Sequence, residues 1–157
     1  MDLKKRKNAR LMNYDYSQAG AYFVTICTEN RKRLFWRDNT VGAIINRPLS
    51  DIGQIAEAYI KNIPQIYNNI SIPSYVVMPN HIHMIIMIEA NEDGRLIIAP
   101  TISRIIKQYK TAVSKEIGVS VWQKGFFDHI IRNDEDLHRH VQYIDENPKK
   151  WENDEYY

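Results

Sequence analysis

Short apolar runs rich in β-branched and aromatic residues alternate with polar segments along the chain, a pattern typical of strands separated by turns. The first run covers residues 21–28 and the last covers residues 126–132. Between them, the runs at 72–78 and 81–89 are separated by Pro79-Asn80, a pair suited to a turn. The pattern therefore predicts four strands, with the second and third joined as a hairpin.

Three other segments repeat apolar residues at intervals of three and four, which is the period of a helix that packs by one face. Capping and breaking residues suggest where these helices begin and end. The predicted helices begin after Ser50, after Thr101 and after Asn133 or Asp134; the second runs to about Ile117, where Gly118 stops it, and the third ends before Pro148. Residues 29–49 lack a clear period and are interpreted as a long basic loop.

The elements follow one another in the order strand, helix, strand, strand, helix, strand, helix. This is the split β-α-β order of ferredoxin-like α+β folds, in which an antiparallel sheet carries helices on one face. No repeat or linker divides the 157 residues, a length typical of one domain. We therefore predict a single domain over residues 1–157, with residues 1–13 as a basic N-terminal arm.

Composition narrows the class of protein. Hydrophobic residues make up 44% and charged residues 25% of the chain, as in soluble globular proteins, and no apolar run approaches the roughly 20 residues of a membrane span. No apolar segment with a cleavage site follows the basic start, so we expect no secretory signal and a cytoplasmic location. The single cysteine, Cys27, excludes internal disulfides and cysteine-ligated zinc sites.

Positive charge is concentrated in clusters, although the net charge is only +2. The clusters lie at residues 4–10, 31–33 and 104–115. Clustered cations can follow a phosphate backbone, whereas the simpler interpretation is a solvated surface or a frayed terminus. Charge alone does not decide between these two interpretations.

Two histidines open the third predicted strand, at His81 and His83. Residues two apart in a strand point to the same face, so both imidazoles can turn toward one ion while Ile82 packs on the other side. Two neutral imidazoles suit a first-row divalent metal, and a site open to water and phosphate also takes magnesium or manganese. The alternative is a pair of histidines that only hydrogen-bond to the backbone.

Tyr109 is a second candidate for chemistry. At helical spacing it shares a face with apolar residues, so it can be a core residue as readily as a nucleophile. The cations Arg104, Lys107 and Lys110 surround that stripe and could hold phosphates beside a phenol that attacks a metal-polarised phosphorus. Spacing does not separate these alternatives.

Four ordered blocks together resemble a known family, the single-tyrosine HUH transposases, whose name denotes two histidines flanking a hydrophobic residue. The blocks are residues 76–85 (VVMPNHIHMI), 105–113 (IIKQYKTAV), 122–132 (WQKGFFDHIIR) and 143–148 (YIDENP). Within that superfamily the chain is most similar to the REP-associated tyrosine transposases, relatives of the IS200-like insertion-sequence enzymes. The resemblance covers nearly the whole chain.

The resemblance implies a metal-dependent transposase that nicks and rejoins single-stranded DNA next to hairpins. It implies that His81 and His83 bind a divalent ion, Mg or Mn, and that Tyr109 attacks a DNA phosphate and becomes linked to the 5′ phosphate. The predicted DNA contacts come from the basic clusters: Lys4, Lys5, Arg6, Arg31, Lys32, Arg33, Arg104, Lys107 and Lys110. Relatives differ in whether they exchange the tyrosine helix within a homodimer, and the sequence leaves monomer and homodimer open.

The sequence does not identify the third metal ligand. Some relatives place it one helical turn after the tyrosine, where this chain has Val113, which cannot bind a metal. His129 is our candidate for this ligand, with a structural histidine as the alternative.

His140 is interpreted as a packing residue. The segment from Tyr143 to Pro148 is interpreted as fixing the end of the third helix.

The sequence is compatible with two rival functions. The valine at position 113 is compatible with a domesticated, catalytically silent protein that binds hairpin DNA. The retention of both histidines and a tyrosine argues for the enzyme. A two-histidine phosphodiesterase would need a second His-x-Ser/Thr motif, and the sequence has none.

Overall fold

The computed structural model describes residues 20–37, 49–90, 101–154 and 156. Its strands and helices follow the predicted order. They are β1 (Gly20–Cys27), α1 (Asp51–Ile66), β2 (Ile70–Val77), β3 (His81–Ile88), α2 (Ile102–Ile117), β4 (Phe127–Ile131) and α3 (Asp134–Glu146). Two short 3₁₀ helices follow β1 and α3, at Glu29–Arg31 and Asn147–Asn153.

The four strands form one antiparallel sheet in the order β2-β3-β1-β4. The central pair, β1 and β3, runs in continuous register from the pair Gly20/Ile88 to the pair Cys27/His81. Strand β2 completes the predicted hairpin with β3, and β4 pairs with the outer side of β1. The predicted ferredoxin-like α+β class is therefore confirmed.

The helices lie on both faces of the sheet, which differs from the prediction that they share one face. Helices α1 and α2 cover one face, where Tyr22, Val24 and Met84 join the main core. Helix α3 covers the opposite face, where its Ile144 packs with Phe23 from β1. Because successive strand residues alternate between faces, β3 divides its side chains between these two layers.

The helix bounds follow the predicted caps. The Ser50 hydroxyl accepts a hydrogen bond from Gly53 N at 3.1 Å at the start of α1, and Thr101 caps α2 in the same way. Gly118 ends α2 in the left-handed conformation, with φ 92°, which glycine adopts without strain. Asn133 caps α3 by accepting from the backbone N–H three residues later.

Among the helices of the described ranges, none has the length and apolar character that crossing a membrane requires. The arm residues Lys4, Lys5 and Arg6 lie outside the described residues.

Candidate metal and nucleophile site

His81 and His83 begin β3 and point to the face that α3 covers. Their rings lie 4.6 Å apart between centroids, and the side chain between them, Ile82, joins the core on the other face. The two residues are 0% and 1% exposed. The alternation of the strand thus brings both imidazoles together, as predicted from their spacing.

A neighbouring polar side chain orients each imidazole. Asn80 Oδ1 lies 2.8 Å from His81 Nδ1, and Thr25 Oγ1 lies 2.7 Å from His83 Nδ1. The amide oxygen can only accept, so His81 Nδ1 carries the proton and its Nε2 presents a lone pair. Partners on the outer nitrogen are the usual means of aiming a metal-binding histidine.

Both histidines are neutral at ordinary pH. Burial lowers the pKa of His81 to about 3; the Asn147 side chain partly opposes this lowering, and the positive charge of Arg31 adds to it. Burial also lowers the pKa of His83 well below its usual value, with a further contribution from His81. Neutral imidazoles are the form that binds metals, so the pair is ready to act as ligands.

Three buried polar atoms at this place have no hydrogen-bond partner among the described residues. They are His81 Nε2, His83 Nε2 and Asn147 Oδ1. Buried polar atoms are nearly always satisfied, so a cluster of unsatisfied ones needs an explanation. Two imidazole nitrogens and one amide oxygen suit a divalent ion such as manganese or magnesium. The residues present therefore fit the metal that the family resemblance implies.

Asn147 directly follows Glu146, the last residue of α3, and begins the 3₁₀ helix Asn147–Asn153. Pro148 lies in the first turn of this 3₁₀ helix, where its missing N–H is tolerated. The Asn147 residue is 4% exposed. It is thus a third ligand candidate, in place of the expected residue one turn after Tyr109.

Tyr143 lies one helical turn before Asn147 and faces the histidines. Its ring centroid is 5.2 Å from that of His83 and 6.0 Å from that of Phe23. The residue is 41% exposed, so a bound molecule can reach the phenol. An accessible tyrosine and the three buried polar atoms that could bind a metal are therefore close together on one face.

Tyr109 lies on the opposite face of the sheet, so the predicted meeting of this tyrosine with the histidine pair is wrong. It is 3% exposed within the main core, and its hydroxyl donates to the Ala56 carbonyl at 2.9 Å. Burial raises the pKa of its phenol well above the usual value, which disfavours the nucleophilic phenolate. Val113 is also buried in this core, which explains its apolar character.

The cations of α2 lie in the same layer as Tyr109 and away from the histidines. Arg104 and Lys107 are exposed on the helix. The Lys110 ammonium donates to the Gln123 carbonyl at 2.9 Å and also to that of Gly125. These residues therefore do not surround the candidate metal site.

His129 does not reach the histidine pair either. It points to the same face, but Phe23 of β1 lies between them, stacked 5.2 Å from His83. His129 Nε2 instead lies 2.9 Å from Asp136 Oδ2. The prediction of His129 as the third ligand is therefore not supported by this geometry.

The basic loop after β1 lies beside the site. Arg31 approaches the ring of Tyr156, with Cζ 5.8 Å from the centroid, and Arg33 approaches the ring of Trp151 at 5.5 Å. Those two rings in turn lie 4.5 Å and 5.9 Å from the ring of His81. The cluster at residues 31–33 therefore brings positive charge to the edge of the metal site.

The segment after α3 covers the histidines. The ring of Tyr156 packs against that of His81 at a tilt of 34°, and the Tyr156 carbonyl oxygen accepts from Asn80 Nδ2 at 2.6 Å. Asp154 Oδ2 lies 3.8 Å from His81 Nε2, with its side chain only 3% exposed. Asp154 thus adds a carboxylate to the site, and Tyr156 covers one side of His81.

The sequence held a signal for Tyr143 and Asn147 that the interpretation missed. The two residues are four apart on a predicted helix, which is the spacing of a nucleophile and a ligand one turn later. Tyr109 and Val113 have the same spacing, but valine cannot bind a metal. The asparagine and the following proline were interpreted only as an end to the helix.

Comparisons with known proteins agree with this architecture. The family model described as "Transposase IS200 like" matches residues 16–147. A Haemophilus influenzae protein named only as uncharacterized is 33% identical, over 97% of this chain and 93% of its own length. A REP-associated tyrosine transposase of Escherichia coli is 34% identical, over 50% of this chain and 44% of its own length.

One solved structure has the same fold. It is a REP-associated tyrosine transposase bound to a REP hairpin, with a TM-score of 0.64 and 24% sequence identity. The match covers 90% of this chain and 74% of that chain. Because the family model spans most of the sequence, this chain belongs to the IS200-like transposase family.

Proposed function

We propose that this protein is a metal-dependent nickase and strand-transferase that acts on single-stranded DNA next to hairpins. In this proposal Tyr143 is the nucleophile, and His81, His83 and Asn147 hold the divalent ion, magnesium or manganese. The observation that carries it is the group of three unsatisfied buried donor atoms beside an exposed tyrosine. Tyr143 replaces Tyr109 in the role that the sequence suggested.

Family membership and local charge support DNA as the substrate. A solved relative of the same fold is bound to a REP hairpin. The loop cations Arg31, Lys32 and Arg33 are exposed close to the histidines, where they can hold the phosphates on either side of the reacting one. Arg104 and Lys107, on the other side of the sheet, stay predictions for contacts farther from the cut.

The chemistry follows from the groups that meet at this place. When bound, the ion would draw charge from a non-bridging phosphate oxygen and so favour attack at phosphorus. Tyr143 Oη forms a bond to phosphorus while the bond from phosphorus to the 3′ oxygen breaks. The phenol loses its proton and the 3′ oxygen gains one, so the DNA ends in a 3′ hydroxyl and Tyr143 carries the 5′ phosphate.

The phosphotyrosine keeps the reaction reversible. A 3′ hydroxyl, either the one released or one from another strand, can attack the same phosphorus and release Tyr143. The position of the tyrosine on α3, one turn before the ligand Asn147, keeps phenol and phosphate in a fixed relation through both steps. Nicking and joining therefore need the same residues and no nucleotide cofactor.

One observation favours the second candidate, a catalytically silent protein that binds hairpin DNA. His81 and His83 are almost completely covered, and the ring of Tyr156 packs against that of His81 with the centroids 4.5 Å apart. A phosphate cannot approach the pair while this contact persists. The enzyme therefore requires Tyr156 to move away from His81, whereas a binding protein does not.

The test is incubation of the full chain with a labelled single strand that carries a hairpin, with manganese. We expect cleavage and a covalent protein–DNA adduct, both abolished by EDTA and by His83→Ala. Asn147→Ala should greatly reduce them, whereas hairpin binding should persist because it depends on lysine and arginine. Hairpin binding without any adduct by the wild-type chain would favour the silent protein.

A further inference from the structure

A second group of metal-binding side chains lies at the other end of α3, formed by His129, Asp136 and His140. Their candidate ligand atoms all lie within 4.8 Å of one another. His129 comes from β4, and the other two come from the first two turns of α3. The group is separated from the first site by Phe23, whose ring lies 4.7 Å from that of His140 and 5.2 Å from that of His83.

The two imidazoles of this group are arranged around one carboxylate. The rings of His129 and His140 stack at 4.7 Å, only 18° from parallel. His129 Nε2 lies 2.9 Å from Asp136 Oδ2, and His140 Nδ1 lies 3.1 Å from Asp136 Oδ1. Both rings therefore direct a nitrogen atom to the Asp136 carboxylate, and His140 Nδ1 also lies 2.8 Å from the backbone carbonyl oxygen of Asp136, a contact that an ion would have to replace.

The two histidine–aspartate separations, 2.9 and 3.1 Å, are slightly shorter than the edges of a tetrahedral metal site. The stacked rings must tilt toward each other for both nitrogen atoms to reach one ion, because an imidazole binds an ion in the plane of its ring. Zinc binds imidazole nitrogen and carboxylate oxygen at about 2.0–2.2 Å, which puts neighbouring ligand atoms roughly 3.3 Å apart. Two histidines and one carboxylate form a common ligand set for this ion, with the fourth position open to water. The side chain of His129 is 41% exposed and that of His140 is 22% exposed, so an ion can enter from solvent.

The neighbouring charges allow the carboxylate to act as a ligand. The Arg132 backbone N–H donates to Asp136 Oδ2 at 3.2 Å, which helps to hold the carboxylate in place. Burial raises the pKa of Asp136, but the bonds from His129 and Arg132 outweigh this effect and lower it overall. Arg139 approaches the carboxylate only to 3.8 Å, from a side chain that is 67% exposed, so it can turn into solvent.

We infer that His129, Asp136 and His140 form a second metal site that binds zinc or a similar transition-metal ion and fastens α3 to β4. The consequence is mechanical, because α3 also carries Tyr143 at its other end. An ion here would hold the helix against its own sheet and oppose its release. This inference does not depend on the proposed nuclease activity.

The test is a titration of the metal-free full chain with Zn²⁺ and Co²⁺, followed by calorimetry and by cobalt absorption. We expect two bound equivalents for the wild type and one for His83→Ala, which loses only the first site. His140→Gln should also bind one, and His83→Ala combined with His140→Gln should bind none. The matched control is His138→Gln, an exposed histidine on the same helix, which should keep two.

Thermal unfolding supplies a second readout. Zn²⁺ should raise the Tm of His83→Ala, because binding to the folded state alone stabilises it. It should not raise the Tm of the combined variant. If His140→Gln does not fold, His129→Gln changes a more exposed side chain and decides the question in its place. The inference would be overturned if the folded variants His129→Gln and His140→Gln both still bound two equivalents of metal. It would also be overturned if the wild type bound a single equivalent and His83→Ala bound none.

Discussion

Replacing Tyr109 by phenylalanine separates a structural tyrosine from a catalytic one. The change removes one hydroxyl and keeps the ring, which packs against Trp122 at 5.8 Å between centroids. The lost hydrogen bond to the Ala56 carbonyl is buried and 2.9 Å long. Such a bond contributes about 1 kcal/mol net to stability. Because Ala56 lies within α1, its carbonyl keeps its helical partner, so the cost should not rise much above this value.

We therefore expect Tyr109→Phe to lower the free energy of unfolding by about 1 kcal/mol and the Tm by roughly 2–4 °C for a chain of this size. Its cleavage rate at a temperature well below the Tm should remain near that of the wild type. Urea unfolding measures the first quantity, and adduct formation on labelled hairpin DNA measures the second. The control is Tyr143→Phe, which should change stability little because its side chain is partly exposed, and should abolish the adduct.

A Tyr109→Phe protein that is folded, binds hairpin DNA and forms no adduct would refute this assignment. It would mean that α2 rearranges or that the sheet face does not limit access to the histidines. A loss of stability above about 3 kcal/mol would instead show that the hydroxyl supports more than one buried hydrogen bond.

Three further predictions follow from burial, packing and charge. Because burial lowers the pKa of His81 to about 3 and that of His83 well below its usual value, the unfolded chain takes up protons that the metal-free fold does not. Stability should therefore fall as the pH decreases below about 6.5, with His81 contributing about 1.4 kcal/mol per pH unit and His83 adding to the loss. Unfolding curves across this range should flatten in a variant with glutamine at both positions, and an unchanged slope would contradict the lowered values. Gly53→Ala should lower the free energy of unfolding by about 3 kcal/mol, because a Cβ there would lie 2.1 Å from the Phe35 backbone carbonyl oxygen. A variant that is more stable than the wild type in urea unfolding would show that the segment around Phe35 moves away without cost. Arg31→Gln should weaken single-strand binding and reduce the slope of log affinity against log salt by about 0.7. Lys107→Gln should leave the cleavage rate near that of the wild type. If Lys107→Gln lowered cleavage and Arg31→Gln left binding unchanged, the cut phosphate would lie on the α2 side of the sheet.

The elements of the fold could be predicted because their signals are local. Ser50 and Thr101 cap helices through residues three positions away, and Gly118 ends α2 through its own backbone conformation. The strand period likewise brings the histidines of β3 to one face. Each of these features depends on a few consecutive residues, and each can be inferred from one sequence.

The choice between the two tyrosines depends on contacts that are distant in sequence. Both Tyr109 and Tyr143 lie on amphipathic helices, and no local pattern states which sheet face a helix covers. The expectation that all helices share one face concealed the difference, because α3 lies on the side of His81 and His83. The packing of Tyr156 on His81 is similarly distant, since 75 positions separate the two residues.

The same reason explains the error over His129. The sequence predicted His129 on the fourth strand as a candidate ligand, and the register of β4 with β1 places it on the face of the histidine pair. The sequence did not show that Phe23 lies between them. It also did not show that Asp136, the third residue of α3, lies 2.9 Å from the His129 imidazole.

The position of the covalent bond to DNA tests the central claim most directly. The full chain would react with a hairpin-bearing single strand and manganese, and the protein–DNA adduct would be digested with a protease and nuclease. Mass spectrometry of the remaining phosphorylated peptide then identifies the modified tyrosine. The account predicts a phosphate on Tyr143, which before nuclease digestion joins the protein to the 5′ end of the downstream fragment. A phosphate on Tyr109, or on any tyrosine other than Tyr143, would contradict it.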